Sequence, residues 1–464
     1  MENKKKVLAV PHVYILLLGL ILICSLLSYV VPAGQYDMTT VGTREVVDAA
    51  TYHTVEAEPV TLMQFLSAVP RGMTESAQII FFIFIIGGAF GVLQETRAIE
   101  AGIGRLLKLL RGKTWVLIPI IMILFSLGGA VFGMSEETIP FIPIFVSLCI
   151  AMGYDSITGA AIVLCGSSAG FAGAFMNPFT MQVAQGIAEL PLMSGMGFRI
   201  VMYLVMVTVS AAFILVYAAK VKKQPQSSSM YEIDRSREDM IDLNQMQHFG
   251  NKEKMILLVF VGAIALLIFG VIRWGWYMDE ISAVFLGMSI VVALIAKMTP
   301  NEYAAVLSRG MAEIAGGALV VGFARGVLVV LTDGNILHTI LHGASVLLGS
   351  LPSMISAVGM YVFQCLLNFL VPSGSGQAAV SIPIMAPLGD LVGVTRQTTC
   401  IAFQLGDGIS NIFTPTSGYF MAALALAKIP WTKWARWILP LIGLQYGIGA
   451  VFVLIAQVMQ LGPF

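Results

Sequence analysis

Apolar residues occur along this chain in long runs with few polar interruptions. Runs of about twenty residues, such as "VYILLLGLILICSLLSYVV" and "QIIFFIFIIGGAFGVL", recur from one end of the chain to the other. A helix of about twenty apolar residues spans the hydrocarbon core of a bilayer. The short alternating segments of a membrane β-barrel are not seen. The pattern therefore predicts an all-α polytopic membrane protein.

Polar stretches between these runs indicate which side of the membrane each loop faces. Lys4-Lys5-Lys6 precede an apolar run from about Val13 to Val31, which is longer than the roughly 7–15 residues of a cleaved signal peptide. We expect a retained first helix with the N-terminus in the cytoplasm. Residues 32–76 carry six acids and only two arginines, which suits the outer side. Residues 220–254 carry seven Lys and Arg, which suits a cytoplasmic linker.

This linker separates two halves whose residues match at a nearly fixed offset. The matching pairs are Pro143 and Pro383, Gly153 and Gly393, Gly166 and Gly406, "GVL" at 91–93 and 326–328, and "AELP" at 188–191 with "AKIP" at 427–430. We therefore expect an N-terminal helix with an outer segment, a first repeat, the linker, and extra helices with a second repeat, at residues 1–75, 76–219, 220–254 and 255–464.

Basic residues give the expected orientation of each half. After the first "GVL", residues 96–113 carry five of them, whereas residues 334–350 after the second carry none. Near the other end of the repeat, residues 428–436 carry three and residues 186–199 carry one. Basic loops stay in the cytoplasm, so equivalent loops are predicted on opposite faces, with the C-terminus outside. The two repeats are predicted to be inverted.

Two hairpins and two interrupted helices are predicted within the repeats. Residues 114–152 would turn at "MSEET" and residues 351–392 at "VPSGSGQ" (371–377), each as a re-entrant hairpin. The following helices would break at 166–180 and 406–418, where Gly, Pro, Ser, Thr and Asn accumulate. Irregular backbone at membrane depth requires burial in protein or a polar cavity. Inverted repeats with broken helices are typical of secondary transporters, whose sites lie near the membrane midplane.

Composition excludes several other classes of protein. The chain of 464 residues is 58% hydrophobic and 11% charged, with a mean hydropathy of +0.87. Basic and acidic residues balance at 26 each, so charge indicates no nucleic-acid partner. The five cysteines lie in apolar runs, and the five histidines show no metal-binding spacing. With no nucleotide-binding fingerprint either, we expect no enzyme and no resident cofactor, and transport would depend on exchange or on a coupling Na⁺ or H⁺.

The adjacent acids Glu136 and Glu137 raise the main question about function. A carboxylate at the bilayer centre costs roughly 2.5–3.5 kcal/mol on insertion scales, so these acids lie either in an exposed loop or at a functional hairpin tip. On the second interpretation, four polar segments converge on a substrate site. The candidate binding residues are Ser135, Glu136, Glu137, Thr138, Ser167, Ser168, Asn177, Ser373, Ser375, Gln377, Asp407, Ser410, Asn411, Thr414 and Thr416.

Each candidate also has a structural explanation. Asp407 follows a glycine and could cap a helix, and the serines, threonines and glycines could serve close helix packing. Arg325, in "GFARGVL", lies inside an apolar run. Because an unpaired arginine there is costly, we expect it to pair with a carboxylate, Glu137 or Glu136.

The longer motifs resemble a known family. "PHVYILLLGLILICSLLSYVVPAGQY", "GMSEETIPFIPI", "FMNPFTMQVAQGIAELPLMSGMGFR", "VPSGSGQAAVSIPIMAPL" and "GDGISNIFTPTSGY" look like the YfcC branch of the DcuC-like transporters. That family is similar to the ion transporter superfamily. The resemblance implies a bacterial inner-membrane homodimer with a scaffold domain and an elevator-like transport domain. It leaves the substrate open between C4-dicarboxylates and basic amino acids of the arginine/ornithine type.

The charges of the candidate site favour one substrate class. The four segments contain Glu136, Glu137 and Asp407 but no Lys or Arg. Carboxylates compensate the desolvation of a cation, so a cationic or zwitterionic amino acid is favoured over a dicarboxylate. Arg325 keeps a Na⁺- or H⁺-coupled carboxylate transporter as the alternative. A channel or a membrane receptor, functions of a different class, also stays open.

Overall fold

The computed structural model describes residues 13–41, 44–48, 50–98, 101, 114–177, 179–237, 250–274, 276 and 278–462. Lys4-Lys5-Lys6, most of the basic loop at 96–113 and the second part of the linker lie outside these residues. Within the described ranges, six helices are long and apolar enough to cross a bilayer, or seven if one bent pair counts as a single span. The chain is thus a nearly all-helical, multi-pass membrane protein.

The first half begins with a helix and a small segment of paired strands. Strands β1 (Gly34–Gln35) and β4 (His53–Thr54) pair antiparallel, as do β2 (Met38–Val41) and β3 (Arg44–Val47). The helices of this half are α1 (Val13–Leu27), α2 (Leu62–Glu75), α3 (Ala77–Glu95), α4 (Leu117–Leu127), α5 (Ile142–Ala151), α6 (Ser156–Gly173), α7 (Met181–Ile187) and α8 (Met196–Lys223).

A short linker helix, α9 (Tyr231–Arg235), leads to the second half. Its helices are α10 (Asn251–Trp274), α11 (Met278–Ala296), α12 (Pro300–Glu313), α13 (Ala315–Asp333), α14 (Leu337–Gly349), α15 (Ser353–Leu370), α16 (Gly374–Val392), α17 (Arg396–Ser410), α18 (Gly418–Leu426) and α19 (Trp431–Val458). The described first part of the linker packs on α6, since Asp234 accepts a hydrogen bond from the Ser156 amide at 2.9 Å.

The two halves repeat the same elements in the same order. Helices α2 and α12 each have 14 residues, and each begins with a capping box, at Thr61 and at Thr299. The cap satisfies free amide groups of the first turn and so fixes where the helix starts. Each is followed, after one non-helical residue, by a 19-residue helix, α3 or α13. The spacing of 238 residues between the two caps is close to the offset expected from sequence.

Several of the matches expected from sequence are seen in the backbone. Gly153 and Gly393 both have a positive φ, and so do Glu189 and Lys428 of the "AELP" and "AKIP" segments. The "GVL" match is wrong by three residues, because the caps pair position 91 with 329 and not with 326. A shift of three residues keeps the same helix face, so a short apolar motif cannot fix the register.

The halves pack reciprocally through glycines. Helix α2 contacts α13, and α12 contacts α3. A Cβ at Gly72 would lie 2.4 Å from the Gly322 carbonyl oxygen, and a Cβ at Gly310 would lie 2.6 Å from that of Gly87. Small residues of this kind let membrane helices approach backbone to backbone.

The helices pack in two groups. The first group contains α1–α3 and α10–α13, and the second contains α4–α8 and α15–α19. Helix α6 lies at the centre of the second group, where Ser168 Oγ donates to the Gly408 carbonyl of α17 at 2.9 Å. The groups meet where α18 packs against α13.

Both hairpins and both breaks are present, with shorter breaks than expected. The arms α4 and α5 pack on α6, and the arms α15 and α16 pack on α17. The irregular segments comprise 174–177 with 179–180, and 411–417, whereas 166–173 and 406–410 are helical. Gly166 and Gly170 lie within α6. They allow close contact with the backbone of Met122 and Ser126 of α4, as expected for packing glycines.

Candidate functional site

The first hairpin turns at Gly133. Its φ is +69°, and a Cβ there would lie 2.6 Å from Asn177 Oδ1, so no larger residue fits. The turn is held by its own polar groups: Thr138 Oγ1 donates to the Ser135 carbonyl at 2.5 Å, and Ser167 Oγ donates to the Met134 carbonyl at 2.5 Å. Ser167 and Thr138 therefore stabilise the turn.

The two adjacent acids occupy different environments at this tip. The Glu137 residue is 5% exposed, and its carboxylate accepts a hydrogen bond from the Ser135 amide at 3.0 Å. Glu136 is half-buried. Both residues line a cavity inside the protein, so neither lies in an exposed loop.

The second hairpin presents a helix N-terminus to the same cavity. The chain turns at Val371–Ser373, and the Ser373 hydroxyl caps α16 by accepting from the Gly376 amide. Ser373, Gly374 and Ser375 line the cavity. Gln377 lies in the first turn of α16 but is fully buried, and its side-chain amide donates to Gln364 Oε1 at 2.8 Å.

Asp407 lies inside α17, three residues before the end of that helix, so it is not an N-cap. It is fully buried, and its Oδ1 accepts from Asn368 Nδ2 at 2.8 Å and from Asn411 Nδ2 at 3.1 Å. Its Oδ2 has no hydrogen-bond partner among the described residues and lies about 3.0 Å from where a Cβ of Gly374 would be. The second carboxylate oxygen is thus directed at the tip of the second hairpin.

Several buried polar atoms around the two breaks keep unused hydrogen-bonding capacity. Buried polar groups are normally hydrogen-bonded. Seven buried atoms here have no hydrogen-bond partner among the described residues: Asn177 Nδ2, Thr180 Oγ1, Asn368 Oδ1, Asp407 Oδ2, Thr414 Oγ1, Thr416 Oγ1 and Ser417 Oγ. Asn177 Oδ1, in contrast, accepts from the Phe179 amide at 2.9 Å. Thr180 and Thr416 line the cavity described below, and such unpaired atoms suit a polar or charged ligand.

The cavity at the tips has a volume of about 330 Å³, at the lower end of the usual range for small-ligand sites. It lies between the two groups of helices. Its polar lining residues are Glu75, Ser76, Ser135, Glu136, Glu137, Thr180, Arg325, Ser373, Ser375, Asn411, Thr416 and Tyr419.

Arg325 pairs with Glu75, so the expected pairing with Glu136 or Glu137 is wrong. The Arg325 Nε donates to Glu75 Oε2 at 2.9 Å, and each side chain is 41% exposed. The reciprocal packing of α2 on α13 brings the last residue of α2 beside Arg325. A pair this exposed contributes about 1 kcal/mol or less.

The structure brings some of the candidate residues to the cavity and places others behind it. Ser135, Glu136, Glu137, Ser373, Ser375, Asn411 and Thr416 line it. Thr138, Ser167, Ser168, Asn177, Gln377, Asp407, Ser410 and Thr414 are not among the lining residues. Of these, Ser168 joins the two broken helices, and Ser410 Oγ donates to the Gly406 carbonyl at 2.6 Å and bonds Tyr446.

The sequence did not indicate Ser76 and four further residues in or beside the cavity. Glu75 belongs by composition to the acidic segment 32–76, although it ends a helix. Asn368, in the apolar run "FQCLLNFL", was a detectable signal, because a polar residue inside a spanning helix is often functional. Thr180 adjoins a predicted break, and Tyr419 follows one.

A second cavity of about 490 Å³ lies elsewhere between the same two groups of helices. Glu95 and Arg309 line it from the first group and form an ion pair at 2.5 Å. Ser147 and Lys428 line it from the second group. The boundary between the groups therefore contains two separate polar cavities.

Comparison with known proteins identifies the family. The DcuC family, described as "C4-dicarboxylate anaerobic carrier", matches residues 10–458. The Escherichia coli (strain K12) protein named "Putative basic amino acid antiporter YfcC" is 37% identical, over 97% of each chain. An uncharacterized protein of Haemophilus influenzae is 28% identical, over 98% of each chain.

A solved structure, the YdaH transporter of Alcanivorax borkumensis, matches 98% of this chain and 100% of its own, with 14% identity and a TM-score of 0.44. The family match over nearly the whole chain and the full-length relative at 37% identity decide the assignment. This multi-pass membrane protein belongs to the DcuC family of transporters.

Proposed function

We propose that the protein exchanges or imports basic amino acids of the arginine/ornithine type. The observation that carries this proposal is the charge of the 330 Å³ cavity. Its lining contains Glu75, Glu136 and Glu137, and among the described residues Arg325 is its one basic side chain. Since Glu75 neutralises Arg325, two carboxylates and the nearby Asp407 remain to balance a cationic substrate.

The relatives give this proposal and its alternative different support. The name of the Escherichia coli relative refers to basic amino acids, whereas the family description refers to C4-dicarboxylates. A dicarboxylate would require cations in the site, and Arg325 is the observation that favours it. A Na⁺- or H⁺-coupled carboxylate transporter is therefore the second candidate.

Exchange in proteoliposomes distinguishes the candidates. Purified protein is reconstituted into vesicles loaded with arginine, ornithine, lysine or succinate, and uptake of labelled arginine is followed. We expect uptake of arginine, fastest when a basic amino acid is inside and not stimulated by internal succinate. Uptake of labelled succinate, with no uptake of arginine, would contradict the proposal. Arginine flux into vesicles without a counter-substrate would indicate net uptake or a channel, and repeating it with and without Na⁺ and pH gradients separates these.

The mechanism we propose is elevator-like. Both polar cavities lie between the two groups of helices, so a sliding movement of the second group against the first would expose the hairpin tips to one side and then to the other. Such a movement needs a fixed first group, for which we propose a homodimer, as the sequence resemblance implies.

The orientation of the halves is tested by labelling. Gly343 is exposed, and a Cβ there meets no atom within 4 Å, so a cysteine is tolerated. If the repeats are inverted in the bacterial inner membrane, Gly343→Cys should react with a membrane-impermeant thiol reagent only from outside. Gly112→Cys, in the basic loop, should react only from the cytoplasm. Reaction of both from one face would rule out the inversion.

A further inference from the structure

The ion pair Glu75–Arg325 is part of the wall of the substrate cavity. Both residues line the same cavity as the hairpin tip that carries Glu136 and Glu137. Each side chain is 41% exposed. Glu75 is the last residue of α2, and Arg325 lies near the middle of α13. Since both residues line the cavity, their exposed surface faces it.

Arg325 retains donors for a second carboxylate. Its contact with Glu75 runs through Nε, and its two Nη groups have no hydrogen-bond acceptor among the described residues. A guanidinium group offers five N–H donors in a fork that matches a carboxylate. The weak, exposed pair with Glu75 can open or be shared when a second carboxylate arrives.

A basic amino acid presents charges of both signs. Its side chain and α-ammonium group are cationic and suit the carboxylates at the hairpin tips. Its α-carboxylate needs a cation, and Arg325 is the one basic side chain among the described lining residues. The two kinds of partner line one small cavity from different groups of helices.

We propose that Arg325 forms a carboxylate-binding subsite that holds the α-carboxylate of the transported amino acid. The inference rests on the proposed function and adds the specificity for an amino acid over a simple amine. In this conformation a bound substrate would contact both groups of helices, its carboxylate on α13 and its cationic end on the first hairpin, and the contact with Arg325 breaks when the second group slides.

The chain offers a matched control for this subsite. Arg71 and Asp333 form a second ion pair between the same helices α2 and α13, with the arginine on α2 and the acid on α13. Arg71 does not line the substrate cavity. Arg71→Gln thus removes an arginine from the same helix contact without removing a residue that lines the cavity.

The test compares substrates with and without the carboxylate. Exchange of labelled arginine is competed with arginine or with agmatine, its decarboxylated form, in the wild type, Arg325→Gln and Arg71→Gln. We expect the wild type and Arg71→Gln to prefer arginine by roughly 10- to 100-fold, the range of a charge-assisted hydrogen bond. In Arg325→Gln the ratio should fall to about one while agmatine still competes.

An unchanged ratio in Arg325→Gln, or an equal loss in Arg71→Gln, would overturn the subsite. If Arg325→Gln fails to insert, the double variant Glu75→Gln/Arg325→Gln leaves no unpaired charge and gives the same comparison. If the wild type exchanges no basic amino acid but does exchange succinate, the proposed function itself is wrong. If it exchanges arginine and agmatine equally, only the subsite is wrong.

Discussion

Asp407→Asn is expected to lower exchange of a basic amino acid by roughly 30-fold or more. Asp407 is fully buried, with one carboxylate oxygen held by Asn368 and Asn411 and the other directed at the second hairpin tip. Asparagine keeps the shape but replaces one oxygen by a donor and removes the charge. Loss of one partner from a buried charged pair costs about 2–5 kcal/mol, and each 1.4 kcal/mol is about tenfold.

The control for this change is Asp390→Asn. Asp390 lies on α16, and its side chain, 47% exposed, pairs with Arg396 at 2.8 Å. We expect less than about a twofold effect there, since exposed pairs contribute little. Both variants are measured at equal reconstituted amounts and must elute as monodisperse protein. Exchange by Asp407→Asn within twofold of the wild type would remove Asp407 from the site.

Glu136→Gln is expected to reduce exchange by roughly 10- to 100-fold, the cost of one charge-assisted hydrogen bond, and Glu137→Gln by less. Glu136 is half-buried and lines the cavity. Glu137 is buried and accepts from the Ser135 amide, a bond that the side-chain oxygen of glutamine can still accept. The two acids are therefore predicted to have different roles, Glu136 toward the substrate and Glu137 toward the turn.

Thermal stability separates these roles. Glu137→Ala leaves the Ser135 amide without its acceptor, which should destabilise the fold by about 1–3 kcal/mol, whereas Glu136→Ala should not. Glu58→Gln, an exposed acid of the outer segment, serves as the control with unchanged exchange and stability. Equal losses of exchange and of stability at positions 136 and 137 would contradict the assignment.

Local chemistry made much of the architecture predictable. Long apolar runs identify membrane helices because the bilayer allows few alternatives. A turn at "MSEET", one residue from Gly133, and breaks near Asn177 and Thr414 are predictable because Gly, Pro, Asn and Thr disfavour helix continuation locally. The extent of the breaks was overestimated, since Gly166 and Gly170 serve packing against α4, which composition alone does not distinguish from a break.

The class of protein and the positions of the turns and of the two acids at the first turn follow from the sequence, because each depends on neighbouring residues. Which charges meet follows from the tertiary structure. Arg325 and Glu75 are 250 residues apart and pair because α2 packs on α13. Asp407 is held by Asn368 of another helix. Such partners depend on which helix faces pack together in three dimensions. The residues of one helix do not specify which other helix packs against it.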